Sequence, residues 1–187
     1  MKRYVTPWST KIDCIIVVAV MLIPSACNLP IWTYGEVPFV PTPPAVVNRM
    51  LELAEIKRGD IVYDVGSGDG RIVIAAAKNY GVKAVGIEID GELVDKARSR
   101  AQTEGVAGLT EFREQDALEA DISAATVVTM YMLPEFNYKL RPKLEALKPG
   151  TRVVCHDFGV EGWTPVHSET IADRTILHTH TIYLYRR

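Results

Sequence analysis

The chain has 187 residues, of which 48% are apolar and 24% charged, proportions typical of a globular protein rather than a disordered one. Its formal net charge of −2 argues against a strongly basic surface, so we expect no nucleic-acid partner. The three cysteines, Cys14, Cys27 and Cys155, match no zinc or redox spacing, and no disulfide framework is predicted. The length suits one domain with a short extension.

Residues 1–35 are predicted to form a hydrophobic leader in front of the domain, which we place at residues 36–187. Lys2, Arg3 and Lys11 precede an apolar run over residues 14–23, and the small residues Ser25-Ala26 follow it. This layout is typical of a signal peptide, a lipoprotein signal or a membrane anchor, and the pattern does not choose among them. We therefore expect a membrane-associated or exported protein, with the side of the membrane left open.

After a proline-rich linker, the remaining sequence alternates between predicted helices and predicted strands. Thr42 is predicted to cap a first helix that extends to about Ile56. Asp90 is predicted to cap a later helix in the same way. The predicted strands are 61–63, 83–89, 110–114, 126–133 and 151–158, and the further helices are 71–80, 91–104 and 134–147. The last segment, 174–185, alternates like an antiparallel hairpin or edge strand.

This alternation predicts right-handed β-α-β units, and therefore an α/β fold of Rossmann-like type. Most strands of such a sheet are parallel. The segment after the fifth strand would close the sheet with an antiparallel strand or hairpin. No internal repeat is visible that would suggest a different architecture.

The sequence Asp64-Val65-Gly66-Ser67-Gly68-Asp69-Gly70 lies between a predicted strand and a predicted helix. Its glycines let the backbone turn sharply and approach a ligand closely. A dinucleotide-binding fingerprint would need a glycine at position 71, where this chain has Arg71. The tighter spacing resembles the S-adenosylmethionine site of class I methyltransferases. That resemblance implies this cofactor, with Asp64 pairing with its charged amino-acid end, and cofactor contacts from Gly66, Ser67, Gly68 and Gly70.

Acidic residues after the second and third predicted strands extend the expected cofactor site. Glu88 lies some twenty residues beyond the glycine motif, where an acid accepts hydrogen bonds from the ribose hydroxyls in related nucleotide folds. Asp90 competes for this role, although its position suits a helix cap better. Asp116 is placed to contact the adenine amino group, and its alternative role is to cap a loop. The neighbouring residues Ile89 and Ala117 are included in the predicted site.

Three segments together resemble one family of methyltransferases. They are Val37-Pro38-Phe39-Val40-Pro41-Thr42, residues 64–78, and Gly162-Trp163-Thr164-Pro165. Over residues 37–167 the chain is similar to the mitochondrial protein-lysine methyltransferases of ATP synthase c-subunit and adenine nucleotide translocase, and to their prokaryotic relatives. The resemblance implies a class I methyltransferase fold, a lysine acceptor, and cofactor contacts from Pro41 and Thr42.

Candidate catalytic residues follow the fourth and fifth predicted strands, because open α/β sheets bind substrate at the carboxyl ends of their strands. Tyr131 is predicted to contact the transferring methyl group or the lysine stem. His156 or Asp157 is predicted to orient the amine. A purely structural role is the alternative for each. The other histidines show no metal-ligand spacing, and no metal site is predicted.

The sequence thus predicts a methyltransferase that uses S-adenosylmethionine and acts on protein lysine, with a membrane protein as the expected partner. Two alternatives stay open. One is a methyltransferase of a small molecule or lipid, and the other is a non-catalytic module that binds S-adenosylmethionine. The oligomeric state is not predicted.

Overall fold

A computed structural model describes residues 39–173 and 178–187 of the chain. The predicted leader, residues 1–35, lies outside the described residues. Within the described ranges no helix has the length and apolar character needed to cross a membrane. The helices of these ranges are α1 (Pro44–Leu53), α2 (Arg71–Tyr80), α3 (Gly91–Thr103) and α4 (Pro134–Glu145).

The described strands form one mostly parallel sheet. They are β1 (Ile61–Val65), β2 (Lys83–Glu88), β3 (Thr110–Glu114), β4 (Val127–Met130), β5 (Arg152–His156), β6 (His167–Asp173) and β7 (His178–Arg186). Their order in the sheet is β3-β2-β1-β4-β5-β7-β6. Strands β1 to β5 are parallel, and β7 is antiparallel to both β5 and β6. The predicted α/β fold with a closing antiparallel hairpin is therefore confirmed.

The strand order reverses direction between β1 and β4. The chain moves outward from β1 to β2 and β3, then returns to place β4 on the other side of β1. In open α/β sheets such a reversal leaves a crevice at the carboxyl ends of the two strands, where ligands bind. The end of β1 carries the glycine motif and the end of β4 carries Tyr131, so this crevice is the candidate site.

Helices cover both faces of the sheet. Buried residues of α1, α2 and α3 pack against one face around Val62 of β1. Buried residues of α4 and of the segment before β4 pack against the other face around Val65. Residues two apart in a strand share a face, so Asp64 lies on the α1–α3 side. That side therefore carries a polar group at the carboxyl end of the central strand.

Local capping was predicted correctly for one helix and wrongly for another. Asp90 Oδ1 accepts hydrogen bonds from Glu92 N and Leu93 N at 2.9 and 3.3 Å, which confirms the cap of α3. The predicted Thr42 cap of α1 is wrong, because Pro43 occupies the cap position and no side-chain bond caps the helix. Thr42 Oγ1 instead lies 3.2 Å from Nδ1 of His156, a residue 114 positions away.

The closing hairpin begins earlier than the predicted segment 174–185. Its first strand, β6, covers His167–Asp173, and its second, β7, covers His178–Arg186. β6 is an edge strand whose described side chains are all exposed or half-buried. A strand that buries neither face needs no apolar alternation, and for that reason the sequence pattern missed it.

Candidate active site

The glycine motif forms a tight loop fastened to the end of β2. Gly66 N and Ser67 N both donate to Ile87 O, at 2.9 and 3.0 Å, and Gly68 N donates to Glu88 Oε2 at 2.8 Å. Gly66 and Gly68 have φ of 73° and 53°, in the left-handed region that favours glycine. The loop geometry thus explains why glycine stands at these positions.

The positions of Gly66 and Gly68 have no room for a side chain, which agrees with the prediction that glycine is needed at this loop. A Cβ atom at Gly66 would lie 2.4 Å from Met132 Sδ, and one at Gly68 would lie 2.4 Å from the Phe39 ring. The Ser67 side chain turns beneath the loop toward Gly86, and its buried hydroxyl has no hydrogen-bond partner among the described residues. The carboxylates of Asp64 and Glu88 adjoin this loop, and such groups fit a small ligand with hydroxyl and amino groups.

Asp64 is a buried carboxyl group at the end of β1. It is 2% exposed, and its Oδ1 accepts a hydrogen bond from Thr129 Oγ1 at 2.7 Å. The pKa of Asp64 is raised to about 8, mainly by burial; the Thr129 hydroxyl opposes the rise, and the nearby carboxylates of Glu88 and Asp69 add to it. A bound cation, such as the ammonium of an amino acid, would compensate this burial.

Glu88 is held in place by backbone donors. Besides the bond from Gly68, its Oε1 accepts from Ile89 N at 2.8 Å and from Asp90 N at 3.1 Å. Ile89 itself is 62% exposed at the mouth of the crevice. Because Asp90 is committed to capping α3, Glu88 is the acid oriented toward the glycine loop.

Asp116 follows β3 and forms a local cap. Its Oδ1 accepts from Leu118 N at 2.8 Å, and the adjacent Ala117 is buried. One carboxylate oxygen of Asp116 therefore has the loop-capping role that was the alternative to cofactor binding. Its contact with adenine stays a prediction.

The segment that contains Pro41 and Thr42 is tied to the glycine loop by Arg71. The Arg71 guanidinium donates to Thr42 O at 2.8 Å and makes two 2.8 Å bonds to Asp69. Pro41 is exposed and Thr42 is buried. Arg71 was not among the predicted site residues, although its position directly after the last glycine was the available signal.

The predicted catalytic residues form one cluster after β4 and β5. The ring centroids of Tyr131 and His156 lie 3.9 Å apart. His156 Nε2 lies 2.9 Å from Nδ1 of His180 and 3.3 Å from Asp157 Oδ2. Since Thr42 contacts both His156 and Arg71, the cluster adjoins the glycine loop.

Asp157 has a strained backbone that several contacts hold. Its φ is 57°, an unusual value for a residue other than glycine, and such strain is common at functional sites. Its Oδ1 accepts from Thr181 N at 2.8 Å. The following turn is held by Asn137 Nδ2, which donates to Phe158 O at 2.9 Å and Gly159 O at 3.1 Å.

The burial of this cluster shifts two of its pKa values. The pKa of His156 is lowered to about 4, mainly by burial; Asp157 opposes the change, and the neighbouring His180 and His178 add to it. Burial also raises the pKa of Tyr131, and Asp157 contributes to that rise. At neutral pH both rings are therefore uncharged.

His180 was not predicted from the sequence. It lies 24 positions from His156, and only the insertion of β7 beside β5 brings the two rings together. Asn137 was also missed, because a polar residue within a helix carries no sign of what it contacts. Trp163 packs edge-on against Tyr185, with ring centroids 5.7 Å apart.

We expect Glu88→Ala to weaken S-adenosylmethionine binding at least about tenfold, because hydrogen bonds to a charged acceptor contribute about 1.5–3 kcal/mol each. Asp90→Ala is the matched control. It removes the cap of α3 and lowers the free energy of unfolding by about 1 kcal/mol, with little change in affinity. Isothermal titration calorimetry measures both affinities. Equal affinities for the two variants would show that Glu88 is not the ribose acceptor.

The sheet order, the antiparallel β7 and the glycine loop at the end of β1 define a class I methyltransferase, the class of enzyme that takes its methyl group from S-adenosylmethionine. The model of the ANTKMT methyltransferase domain family matches residues 64–167. The chain belongs to this family.

Individual relatives agree with this assignment. The chain is 50% identical to a protein-lysine N-methyltransferase of Saccharolobus islandicus, over 80% of this chain and 93% of the relative. It is 40% identical to the lysine N-methyltransferase of the ATP synthase c-subunit from Rattus norvegicus, over 70% of this chain and 60% of that protein.

Solved structures also include a similar protein. A crystal structure of an RNA methyltransferase from Salinibacter ruber, in complex with S-adenosyl-L-homocysteine, is 54% identical with a TM-score of 0.74. The match covers 79% of this chain and 93% of that one. The expectations of a methyltransferase fold, of an enzyme, and of S-adenosylmethionine as the methyl donor are confirmed.

Proposed function

We propose that this methyltransferase transfers the methyl group of S-adenosylmethionine to the side-chain amine of a protein lysine. The observation that carries the proposal is the position of Asp157, a carboxylate beside the Tyr131 and His156 rings and next to the glycine loop. An amine donates hydrogen bonds to a carboxylate and packs its methylene groups on aromatic rings. The S. islandicus relative is named for the same reaction.

The cofactor supplies an activated methyl group, and the protein's contribution is mainly to position the amine. The lysine first loses one proton to water; Asp157 Oδ2 then accepts the N–H groups of the neutral amine and leaves the nitrogen lone pair free to point at the methyl carbon. Tyr131 contacts the lysine stem. The backbone of Asp157, held by Thr181 and by the turn that Asn137 fastens, fixes the direction of the carboxylate.

RNA is the second candidate acceptor, since the S. ruber protein is named an RNA methyltransferase. The net charge of −2 argues against it, because binding a phosphate backbone depends on an excess of cations. A carboxylate at the reacting centre likewise favours an amine over a polyanion.

The acceptor is tested by incubating the purified full chain with S-adenosylmethionine labelled on its methyl group, together with cell protein or with total RNA. We expect label in protein, recovered after acid hydrolysis as methyl-lysine. Label in RNA with none in protein would overturn the lysine proposal. Label in neither, with a labelled lipid or metabolite in a whole extract, would favour the small-molecule alternative.

We expect Asp157→Asn to lower kcat about 100-fold while leaving S-adenosylmethionine affinity unchanged, a loss at the lower end of what a positioned catalytic side chain contributes. Asparagine tolerates the left-handed backbone and keeps an oxygen for Thr181 N, so the fold is retained. Asp95→Asn, on the exposed face of α3, is the matched control and should keep full activity. A fully active Asp157→Asn variant would exclude this role.

We further propose that the lysine belongs to a membrane-associated protein. The apolar run over residues 14–23 and the proline-rich linker after it support this proposal, since a membrane anchor raises the effective concentration of nearby targets. The test is mass spectrometry of membrane and soluble fractions from cells with and without the gene. Methyl-lysine that differs only in soluble proteins would contradict it.

A further inference from the structure

Three potential metal ligands converge at the end of β5, although no two of the histidines show a metal-ligand spacing in the sequence. They are His156 Nε2, Asp157 Oδ2 and His180 Nδ1. The two nitrogens lie 2.9 Å apart, and the carboxylate oxygen lies 3.3 Å from the first and 3.5 Å from the second. Both histidines are buried, and the Asp157 side chain is 15% exposed. Asp157 is therefore the member of the cluster that solvent reaches most readily.

The separations of these atoms match the coordination sphere of a small divalent ion. The point equidistant from all three lies about 1.9 Å from each atom, in their plane. A point about 0.8 Å above the plane lies about 2.05 Å from each, within the range of about 2.0–2.2 Å for zinc bonds to imidazole and carboxylate. An ion there leaves its fourth position open on one side.

The outer contacts of two cluster members, His156 and Asp157, are also those of metal ligands. Metal-bound histidines donate their second ring N–H to a fixed acceptor, and metal-bound carboxylates accept a further hydrogen bond. His156 Nδ1 lies 3.2 Å from Thr42 Oγ1, and Asp157 Oδ1 accepts from Thr181 N at 2.8 Å. When His156 Nδ1 donates its proton to Thr42 Oγ1, the lone pair of His156 Nε2 faces the cluster and accepts from His180 Nδ1. An ion that binds there replaces this hydrogen bond, and the His180 proton moves from Nδ1 to Nε2 of the same ring.

We propose that His156, Asp157 and His180 bind one divalent transition-metal ion of the Zn²⁺ type, and that an ion bound there blocks methyl transfer. Two imidazoles and one carboxylate suit Zn²⁺, Co²⁺ or Ni²⁺, whereas Mg²⁺ and Ca²⁺ need oxygen ligands. A bound ion would prevent methyl transfer because it coordinates Asp157 Oδ2, the atom that we assign to binding the substrate amine. The proposed inhibition of methyl transfer thus rests on the proposed function, whereas the proposed binding of the ion does not.

Binding is tested by titrating the full chain, freed of metal with a chelator, with Zn²⁺ and with Mg²⁺ in a calorimeter. We expect one Zn²⁺ per chain and no heat from Mg²⁺. His180→Asn should lower Zn²⁺ affinity at least about 100-fold, more than the loss of an outer contact usually costs. His178→Asn is the matched control, because His178 is an exposed neighbour of His180 outside the cluster. The Zn²⁺ affinity of this variant should equal that of the natural chain.

A second readout keeps the test decisive if His180→Asn does not fold. Co²⁺ bound to imidazole and carboxylate absorbs visible light, and this absorption should appear in the natural chain and in His178→Asn but not in Asp157→Asn. No Zn²⁺ binding, or equal binding by every variant, would overturn the proposed site.

Two outcomes separate this site from the proposed function. Stoichiometric Zn²⁺ binding without inhibition of methyl transfer would support the metal site and contradict the role of Asp157 in positioning the amine. Absence of Zn²⁺ binding, with methyl transfer lost in Asp157→Asn, would contradict the metal site and support the role of Asp157 in positioning the amine.

Discussion

Asp64→Asn is expected to abolish measurable S-adenosylmethionine binding and, at neutral pH, to raise the free energy of unfolding of the ligand-free protein. Asp64 is almost fully buried, and burial raises its pKa from 3.8 to about 8. In the unfolded chain this carboxyl group ionises near pH 4, but in the folded protein it stays protonated until about pH 8. Folding therefore costs more as the pH rises through that window.

The stability effect has a defined dependence on pH. Asparagine keeps the oxygen that accepts from Thr129 and has no ionisable proton. It therefore removes the free-energy cost of keeping the Asp64 carboxyl group protonated in the folded protein. The variant should be more stable than the natural protein by on the order of a few kcal/mol at pH 7, with the difference vanishing near pH 4. Urea unfolding at several pH values measures it. A variant that is less stable at pH 7 would contradict the burial argument.

The binding effect has the opposite sign because the ligand needs the charge. Pairing with the ammonium of S-adenosylmethionine requires ionised Asp64, so the affinity of the natural protein should rise about tenfold per pH unit as the pH approaches 8. Calorimetry between pH 6 and pH 9 checks this slope, with Asp90→Asn as a control at an exposed acid. Unchanged binding by Asp64→Asn would mean that Asp64 only supports the fold.

Asp60→Ala is expected to lower the free energy of unfolding by about 3–5 kcal/mol, because it leaves the Arg152 guanidinium buried without its counter-ion. Arg152 Nη2 lies 2.5 Å from Asp60 Oδ1, and the two side chains are 6% and 5% exposed. The same guanidinium donates to Ala54 O and Glu55 O, at 2.8 and 2.9 Å. The pair therefore joins the end of α1 to the start of β5.

Matched variants distinguish this buried pair from ordinary surface charges. Asp95→Ala breaks the exposed pair with Arg98 and should cost less than about 1 kcal/mol. Asp60→Leu combined with Arg152→Met removes both charges and should recover most of the loss. Chemical unfolding measures all three. A loss for Asp60→Ala no larger than that for Asp95→Ala would show that the buried pair contributes little.

The Asp60–Arg152 pair lies at the opposite end of the sheet from the cofactor crevice. Asp60 precedes β1 and Arg152 begins β5, whereas the glycine loop follows β1. The folded Asp60→Ala variant should therefore bind S-adenosylmethionine with unchanged affinity. A change in affinity in the folded protein would mean that the two ends of the sheet are coupled.

Several elements could be predicted from the sequence because their signals are local. α2 and β3 have the predicted bounds, since glycines and polar turns flank both segments. Asp90 caps α3 through backbone donors two and three residues away, which a pattern of neighbouring residues can contain. The glycine motif likewise specifies its own loop, because left-handed backbone is a property of single residues.

The partners of the candidate catalytic residues depended on contacts far apart in the chain. Thr42 is a residue type that often caps helices, yet its hydroxyl lies against His156. Pro43 already occupies the cap position of α1, and the fold brings β5 alongside Thr42. His180 carried no signal until β7 was placed antiparallel to β5.

By itself, the sequence determined the strand–helix alternation, the glycine loop and the family, since each is encoded in residues that are neighbours in the chain. Only the tertiary structure decided which polar groups meet at the carboxyl ends of the strands. The reason is physical: sheet order and strand direction join Asp157 to His180 and Thr42 to His156, and no spacing within a single segment encodes those distances.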